Sequence, residues 1–416
     1  MATIFYGILG EGVVRRNIDK WVGIAGKPDA FCEKDENLEK FQEKLLGRYD
    51  VVSLDEALKR YPDADVWVTY PKPSATAKKL LKILPSEKIH FLEADLEYRK
   101  GCRFLGNFIS YRRTNFAPCC VTGQAPKYKN AGSVSQKLSH WQDVTEKLVD
   151  DVRNDRPNAC EKCHLLKHGF YRKSVKLNEI NFGTNNRGDI CNFRCIYCFC
   201  APGFEKLKNE EGLTTYEIIK EMSEMPEFNR EDFVLQLANG EFCANKHCED
   251  MLDIFLSNKW KFKLITNLSL YREKLATLMD SGRVISTLIS LDAGTRETFK
   301  KVKQNDRFDI VVQNLKRYPL NKAGLQLKYI FLEGINDNET DVNGFYEIAK
   351  EHNAIIVFSS NLTKVWTDKM RESALGVIKK AKKDGVKISY SGSYLNAVDV
   401  KFVRDNYENA DSSCGV

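Results

Sequence analysis

The sequence has no long uncharged hydrophobic run. Its first apolar stretch, MATIFYGILGEGVV, is interrupted by Glu11 after a few apolar residues. No later segment approaches the roughly 20 apolar residues that a membrane-spanning helix needs, and no secretory signal is present. We therefore expect a cytoplasmic protein without membrane contact, in a compartment where thiols stay reduced.

A strong charge bias is also lacking. The 416 residues include 64 basic and 57 acidic side chains, mixed along the chain, for a net charge of +7. This small excess is compatible with an anionic ligand but argues against nucleic acid as a partner. Hydrophobic residues at 43% and charged residues at 29% are ordinary for a globular protein. The length itself predicts more than one domain.

Cysteine, in contrast, is abundant. The 13 cysteines occur in groups, whereas cysteines used as small core residues scatter along a chain. Because a reducing compartment disfavours disulfides, metal binding is the leading interpretation. The densest group lies in CNFRCIYCFC and consists of Cys191, Cys195, Cys198 and Cys200.

The spacing of this group narrows the choice of metal. Zinc sites usually contain paired CxxC knuckles, and the spacing of Cys191, Cys195 and Cys198 does not pair in that way. Three soft thiolates suit one corner of a cubane iron–sulfur cluster and leave its fourth iron open. Cys200 is interpreted as a bystander beside these three.

The first hundred residues alternate between strand and helix patterns. The opening TIFYGILGEGVVRRNIDKWVGIAGKPDAFCEKDE reads as strand, glycine turn, helix and strand, which predicts a small Rossmann-like α/β domain over residues 1–105. Gly7, Gly10 and Gly12 lie at the turn, but their spacing is not GxGxxG and Glu11 would repel a pyrophosphate. Dinucleotide binding, sugar-nucleotide recognition and a purely structural turn therefore all stay open.

Regular alternation returns after a middle segment, residues 106–175, that lacks clear periodicity. The strand candidates are LNEINFGT, FVLQLAN, FKLITN, STLISLD, LQLKYIF, AIIVFSS and VKISY. The amphipathic helices between them predict a partial (β/α)6 TIM-type barrel over residues 176–400, followed by a polar tail at 401–416. Such barrels carry their chemistry where strands end. The cysteine group directly follows the first of these strands.

The motif CNFRCIYC has the form CxxxCxΦC, with Tyr197 before the last cysteine, and resembles the radical S-adenosylmethionine (SAM) superfamily. Further motifs follow later strands over residues 176–395. NGE at 239–241 resembles the family's GGEP motif, with Asn in place of the first Gly and Phe242 in place of Pro. ITN and SLDAG end the next two strand candidates, and a lysine lies in LQLKYIF. The positions concerned are Asn239, Gly240, Glu241, Thr266, Asn267, Ser290, Asp292 and Lys328.

The resemblance implies roles for the three cysteines, Gly240, Glu241 and Tyr197. Cys191, Cys195 and Cys198 would hold a [4Fe–4S] cluster whose open iron binds the amino and carboxylate groups of SAM. Gly240 would let the backbone approach the methionine, and Glu241 would meet its ammonium group. Tyr197 would lie beside the adenine.

The remaining positions complete the SAM site that the resemblance implies. Ser290 and Asp292 would bind the ribose hydroxyls or the substrate, and Lys328 would pair with the methionine carboxylate. Thr266 and Asn267 would line the same site, together with Asn239. Asn239, Thr266 and Ser290 have a competing interpretation as strand-end caps, and Lys328 as an ordinary salt-bridge partner.

By the same resemblance, one electron from the reduced cluster cleaves SAM into methionine and a 5′-deoxyadenosyl radical, which takes a hydrogen atom from substrate carbon. A flavodoxin or ferredoxin would donate the electron. The α/β front domain favours a carbohydrate, nucleotide sugar or other small polar metabolite as substrate. A ribosomal-peptide (RiPP) maturase of SPASM type and a non-catalytic metal-binding scaffold are the alternatives.

A second group of cysteines precedes the barrel. ISYRRTNFAPCCVTG and NACEKCHLL contain Cys119, Cys120, Cys160 and Cys163, and the first segment resembles the auxiliary-cluster segments of SPASM-type enzymes, which normally follow the barrel. Four thiolates predict an auxiliary [4Fe–4S] cluster. A zinc site from the same residues, with His164 or Cys102, is the rival.

Cys243 directly follows the NGE motif. A cysteine at a strand end can return a hydrogen atom to a substrate radical, so Cys243 is a candidate catalytic residue. The competing interpretation is that Cys243 and Cys248 face the core at the start of a helix.

Overall fold

The computed structural model of the chain describes residues 2–8, 11–39, 41, 45–46, 49–70, 74–92, 95–112, 115–119, 132–163, 165–183, 186–198, 212–238, 240–361, 365–389 and 395–407. Its contacts divide the chain into two compact units. The first unit comprises residues 1–107, 122–125 and 142–176, and the second comprises residues 108–121, 126–141 and 177–416. The domain boundaries expected from the sequence stay a prediction.

The first unit contains a five-stranded parallel sheet in the order β3-β2-β1-β4-β5. Along β1, Ile4 and Tyr6 pack into one hydrophobic cluster and Phe5 packs into another. A strand whose alternate residues enter two cores is covered on both faces, as in doubly wound α/β folds. The elements are β1 (Thr3–Tyr6), α1 (Glu11–Ala25), β2 (Ala30–Glu33), α2 (Asp35–Leu38), β3 (Val51–Ser53), α3 (Leu54–Arg60), β4 (Asp65–Val68), α4 (Ser74–Leu80) and β5 (Ile89–Phe91).

Gly7 follows β1 with a φ of +93°. A Cβ atom at this position would clash with the ring of Tyr70, which follows β4. The Tyr70 hydroxyl donates a hydrogen bond to Glu33 at the end of β2. Both the backbone conformation and the close approach of the ring therefore require glycine here, which favours the structural interpretation of this turn.

The middle segment and the residues just before it contain regular structure that the sequence analysis did not predict. Strands β6 (Leu96–Gly101) and β9 (Lys167–Arg172) form an antiparallel pair. Helix α5 (Val134–Arg153) has 20 residues. Its buried side chains recur at helical spacing, at Val134, Leu138, Trp141, Leu148, Val149 and Val152. The signal was therefore present in the sequence.

The second unit contains a nine-stranded sheet in the order β16-β15-β14-β13-β12-β11-β10-β7-β8. Strands β10 to β16 are parallel and lie in chain order. This arrangement confirms the predicted α/β class and is consistent with a partial TIM-type barrel. The strands are β7 (Phe108–Arg112), β8 (Asn115–Ala117), β10 (Glu179–Phe182), β11 (Val234–Leu237), β12 (Lys261–Thr266), β13 (Val284–Ser290), β14 (Leu325–Phe331), β15 (Ile355–Ser360) and β16 (Ile388–Ser389).

The helices of this unit connect the parallel strands. The sequence patterns TTYEIIKEMSEM, HCEDMLDIFLSN and LYREKLATLMDSG correspond to the first three of them. Thr214 and Glu217 form a capping box at the start of α6. The helices are α6 (Thr215–Ser223), α7 (Cys248–Ser257), α8 (Glu273–Asp280), α9 (Arg296–Lys303), α10 (Phe308–Arg317), α11 (Glu339–Glu351), α12 (Asp368–Asp384) and α13 (Ala397–Asn406). The last helix extends into the segment predicted as a polar tail.

Strand β7 adds a parallel neighbour to β10 that the sequence analysis missed. Phe108, Ile109, Ser110 and Tyr111 are all buried. A strand covered on both faces shows no alternation of apolar and polar residues, so a period of two could not identify it. Among the described residues, no helix is long and apolar enough to span a membrane.

Candidate active site at the strand ends of the second unit

The cysteine loop, defined here as residues 186–198, leaves the end of β10 and carries three thiols. Cys191, Cys195 and Cys198 are all half-buried, and the Cys195 and Cys198 thiols interact electrostatically with Cys191. Burial raises the pKa of the Cys191 thiol to about 11. The Cys198 amide donates to the Cys195 carbonyl at 2.9 Å, which turns the chain between these two residues. The three thiols therefore belong to one folded loop.

The buried carboxylate of Glu241 connects the ends of β11 and β12. It accepts hydrogen bonds from the Thr266 hydroxyl at 2.9 and 3.0 Å, from the Asn267 amide at 2.7 Å and from the Cys243 amide at 3.3 Å. Burial raises the pKa of Glu241, while the bonds from Asn267 and Thr266 oppose this shift. The carboxylate is thus bound within the protein, and the predicted contact with the methionine ammonium stays a prediction.

Gly240 brings the end of β11 against the cysteine loop. Its φ is +58° and a Cβ atom would clash with the Ile190 carbonyl oxygen. The same oxygen accepts a hydrogen bond from the Glu241 amide at 2.8 Å. The close approach that requires glycine is therefore to Ile190, directly before Cys191.

Side-chain amides hold the cysteine loop to the segment after β12. The Asn267 side chain donates to the Asn192 side chain at 2.9 Å, and Asn192 in turn donates to the Ser269 hydroxyl at 2.8 Å. The side-chain nitrogen of Asn267 also lies 4.0 Å from the Cys191 sulfur. These bonds fix the first cysteine of the loop relative to the strand ends.

The buried side chains of Asp292 and Lys303 form a charged pair that contacts Tyr197 in the cysteine loop. The Asp292 carboxylate, with no solvent exposure, accepts hydrogen bonds from the Lys303 ammonium and the Tyr197 hydroxyl, each at 2.5 Å. Lys303 is fully buried as well and donates to the same hydroxyl at 2.8 Å. Burial would raise the pKa of Asp292, but the ammonium groups of Lys303 and Lys328 hold it below its usual value.

Lys328 points from β14 toward the thiols. Its ammonium lies 3.8 Å from the Asp292 carboxylate and 5.3 Å from the centre of the Tyr197 ring. Burial lowers the pKa of Lys328, and Cys195 and Cys198 interact with its charge. A cation thus stands beside two of the thiols, where it would favour their deprotonated form.

The donor set of the loop fits an iron–sulfur cluster. In the part of the chain that the structure describes, no three His, Cys, Asp or Glu side chains form a group that would hold a single metal ion as they stand. A cubane is wider than one ion, so its thiolate ligands stand farther apart. Three half-buried thiols on one loop, beside a lysine, provide the soft ligands that such a cluster takes.

A cavity of about 240 Å³ opens beside the cysteine loop. Ile196 and Tyr197 of the cysteine loop line it, together with residues at the end of β14 and in the segments after β14 and β15. Trp366 and Met370 supply apolar surface, and the remaining lining residues are Phe331, Leu332, Glu333, Ile335, Asn361 and Val365. Polar and apolar atoms both line the cavity, and the ends of parallel strands are the usual place for a ligand.

Comparison with known families identifies this region. Residues 185–349 match the family model of the radical SAM superfamily. These residues form a radical SAM domain. This family uses a [4Fe–4S] cluster together with SAM.

Curated relatives match less than half of the chain. A GTP 3′,8-cyclase of Nautilia profundicola is 29% identical over 193 residues, which cover 44% of this chain and 56% of that protein. A GTP 3′,8-cyclase of Desulforamulus reducens is 24% identical over 163 residues, which cover 38% of this chain and 49% of that protein. The chain therefore spans about half the length of these relatives.

Solved structures of radical SAM enzymes resemble the chain in part. Streptococcus suis SuiB bound to S-adenosylmethionine shares 11% identity and a TM-score of 0.40, over 63% of this chain and 53% of that chain. Native anSMEcpe with bound AdoMet shares 16% identity and a TM-score of 0.37, over 51% and 64%. Because both scores are low, the family assignment rests on the match of residues 185–349.

Within the radical SAM domain, the structure brings most of the predicted site residues together. The three cysteines, Tyr197, Gly240, Glu241, Thr266, Asn267, Asp292 and Lys328 are connected by the contacts given above. Ser290 is half-buried at the end of β13. Asn239 lies outside the described residues.

The predicted catalytic Cys243 is buried against Cys248. The pKa of Cys243 is raised well above its usual value. The hydrogen bond between the two thiols is the larger cause, and burial is the second. Cys243 is 2% exposed and Cys248 is 1% exposed. This placement favours the core-facing interpretation, and hydrogen-atom donation by Cys243 stays a prediction.

The auxiliary cysteines are divided between the two units. Cys160 and Cys163 belong to the first unit, and Cys119 follows β8 in the second. Cys120 lies outside the described residues. Within the first unit, Cys102 and Cys160 pack against the same hydrophobic cluster, formed by Leu105, Leu148, Val149 and Val152.

Lys303 is the main site residue that the sequence analysis missed. In the motif FKKVK it looks like Lys300 and Lys301, whose side chains are 65% and 62% exposed. One signal was available, because Lys303 lies four residues after the buried Phe299 and so falls on the same helix face.

Proposed function

We propose that the protein binds a [4Fe–4S] cluster through Cys191, Cys195 and Cys198 and cleaves SAM reductively, so that a hydrogen atom is removed from a small polar metabolite. The observation that carries this proposal is the cysteine loop itself. Its three thiols lie at the ends of parallel strands, next to the buried Glu241 and next to the Lys303–Asp292 pair.

The cluster and SAM supply the one-electron chemistry when they are bound. The chain's own residues prepare the site. Glu241 holds the ends of β11 and β12 together, and Asn267 fixes Asn192 beside the first thiol. Lys328 places a positive charge where the thiolates and an anionic carboxylate of SAM would lie.

Tyr197 is proposed to form a wall of the SAM site. Its ring lines the cavity of about 240 Å³, and its hydroxyl is fixed by Asp292 and Lys303. A fixed aromatic ring offers a face for stacking the adenine, and Trp366, which also lines the cavity, adds a second apolar surface.

A nucleotide or nucleotide sugar is the substrate class that we favour. Two relatives are named GTP 3′,8-cyclase, so proteins with a similar radical SAM domain act on a nucleotide. The cavity contains one carboxylate, Glu333, and one amide, Asn361, which suit the hydroxyl and amino groups of such a molecule.

We also propose a second metal site in the first unit, built around Cys160 and Cys163. The Cys163 amide donates to the Cys160 carbonyl at 2.9 Å, so the two cysteines flank a tight turn. Cys102 packs against the same hydrophobic cluster as Cys160 and is proposed as a third ligand of this site. An auxiliary [4Fe–4S] cluster suits four thiolates, with zinc as the rival. A cytoplasmic location and an electron donor such as flavodoxin or ferredoxin remain predictions.

The test uses full-length protein that is reconstituted anaerobically with iron and sulfide and then given SAM and a strong reductant. We expect 5′-deoxyadenosine to form, and we expect Cys195→Ala to abolish it. Cys32→Ala is the matched control, because Cys32 is fully buried in a hydrophobic cluster that contains none of the proposed ligands. Mass spectrometry measures the nucleoside.

Two results would contradict the proposal. If the wild-type protein loads a cluster but forms no 5′-deoxyadenosine with a broad set of nucleotides, sugars and peptides, the non-catalytic scaffold becomes the better description. If a peptide raises the yield and nucleotides do not, the substrate class is wrong and a peptide maturase replaces it.

A further inference from the structure

The cysteine loop is held by the end of helix α9 through two backbone hydrogen bonds. The Arg194 amide donates to the Lys303 carbonyl at 3.3 Å, and the Ile196 amide donates to the Val302 carbonyl at 3.0 Å. These two amides lie on either side of Cys195. The position of this cysteine is therefore set by the last residues of α9.

An aromatic contact supports the same attachment. Phe193 in the loop is 2% exposed, and its ring lies 5.9 Å from that of Phe299 in α9, at an interplanar angle of 86°. Such an edge-to-face pair orients two rings as well as burying them. The loop and the helix therefore pack as one body on this side.

The Lys303 side chain adds a polar connection between the cysteine loop and Asp292. Its ammonium donates to the Asp292 carboxylate and to the Tyr197 hydroxyl. Asp292 in turn accepts from the Ile330 amide at 2.9 Å, and its own amide donates to the Lys328 carbonyl at 3.1 Å. Lys303 thus connects the loop to the rigid strand β14.

We propose that Lys303 is a positioning residue that sets the geometry of the cysteine loop and of Tyr197 for SAM binding. This inference rests on the proposed function. The ammonium neutralises the buried Asp292 carboxylate, and it fixes the hydroxyl of Tyr197, the residue before Cys198. Lys328, with a side chain 12% exposed and a distance of 3.8 Å from Asp292, is left to meet a ligand.

The charge balance of the site explains why a lysine is needed here. A buried carboxylate without a cation is costly. Lys303 provides the cation from within the protein, so the arrangement does not depend on a bound ligand. The loop can therefore be ordered before SAM arrives, which reduces the entropy that binding must overcome.

The experiment compares Lys303→Met with Lys301→Met, an exposed lysine on the same helix. We expect reconstituted Lys303→Met protein to need roughly tenfold or more SAM to change the electron paramagnetic resonance spectrum of its reduced cluster. We also expect the Arg194 and Ile196 amides to exchange hydrogen roughly tenfold faster, in protein with and without a cluster. Lys301→Met should match the wild type in both measurements.

Tyr197→Phe provides a second variant in case Lys303→Met does not fold. It removes one hydroxyl and leaves the Lys303–Asp292 pair intact, so the protein should fold while SAM binding weakens. If both variants fold, the double variant should lose less SAM affinity than the sum of the two single losses. Both single variants remove the hydrogen bond from the Lys303 ammonium to the Tyr197 hydroxyl.

The inference would be overturned if Lys303→Met responded to SAM at wild-type concentrations and its Arg194 and Ile196 amides exchanged at the wild-type rate. The proposed function would then stay intact. A wild-type protein whose spectrum does not respond to SAM would instead contradict the proposed function. In that case the exchange rates of the cluster-free protein still show whether Lys303 holds the loop.

Discussion

Gly240 and Glu241 join three segments at the strand ends through backbone contacts and one buried carboxylate. The Glu241 amide and the space left by Gly240 both face the Ile190 carbonyl. The Glu241 side chain then reaches Thr266 and Asn267 on the neighbouring strand end. Gly240 and Glu241, which the sequence predicted as ligand contacts, therefore also connect three segments of the protein.

Gly240→Ala should therefore disturb the cysteine loop. A left-handed conformation costs an alanine about 1–2 kcal/mol, and the clash with Ile190 should add about 1–3 kcal/mol. We expect the midpoint of urea denaturation to fall and the iron content after reconstitution to drop.

Gly334→Ala is the matched control, because Gly334 has a φ of +70° and nothing lies within 4 Å of a Cβ atom there. It should show only the conformational cost. Equal losses for the two variants would mean that the contact with Ile190 is unimportant.

Helix α11 is fixed to the segment after β13 by the buried side chain of Asp341. The Asp341 carboxylate accepts from the Gly294 and Thr295 amides, each at 3.0 Å, and from the Tyr329 hydroxyl at 2.6 Å. Gly344 lies one turn along this helix, and its backbone lies directly against Gly294. The helix therefore packs backbone to backbone against the loop that begins with Asp292.

Two glycines in helices of the same unit should respond to alanine in opposite directions. Alanine is favoured over glycine in a helix interior by about 1 kcal/mol. Gly376 in α12 has nothing within 4 Å of a Cβ atom, so Gly376→Ala should stabilise the protein by up to that amount. Gly344→Ala places its methyl group against Gly294 and should destabilise the protein by about 1–3 kcal/mol.

Thermal and urea denaturation of the two variants measure this difference. Stabilisation by both variants would show that α11 can move away from Gly294 without cost. A loss of stability in Gly376→Ala alone would contradict the packing of both helices.

At the scale of the whole molecule, the sequence predicted the elements that carry a periodic pattern or a motif. Strands β10 to β16 and the three-cysteine loop are of this kind. Strand β7 was missed because both of its faces are buried. The role of Lys303 was missed because burial, not residue type, separates it from the exposed Lys301, and burial depends on how α9 packs against the loop.

The two proposed metal sites make a prediction about the metal content of the full chain. Two [4Fe–4S] clusters correspond to about eight iron atoms per chain after reconstitution. The triple variant Cys191→Ala, Cys195→Ala, Cys198→Ala should retain about four iron atoms, and so should Cys160→Ala combined with Cys163→Ala. Cys32→Ala should retain all of them, because burial raises the pKa of Cys32 to about 12 and its thiol stays protonated within the sheet core.

Elemental analysis of iron, zinc and acid-labile sulfide separates the alternatives. About four iron atoms and one zinc in the wild type, with the zinc lost in the Cys160 and Cys163 variant, would identify the second site as zinc. Full iron content in the triple variant would contradict the assignment of the cysteine loop, since no cluster could then depend on its thiols. Loss of all iron in both variants would mean that one cluster cannot assemble without the other, and the two sites would have to be treated as one cooperative unit.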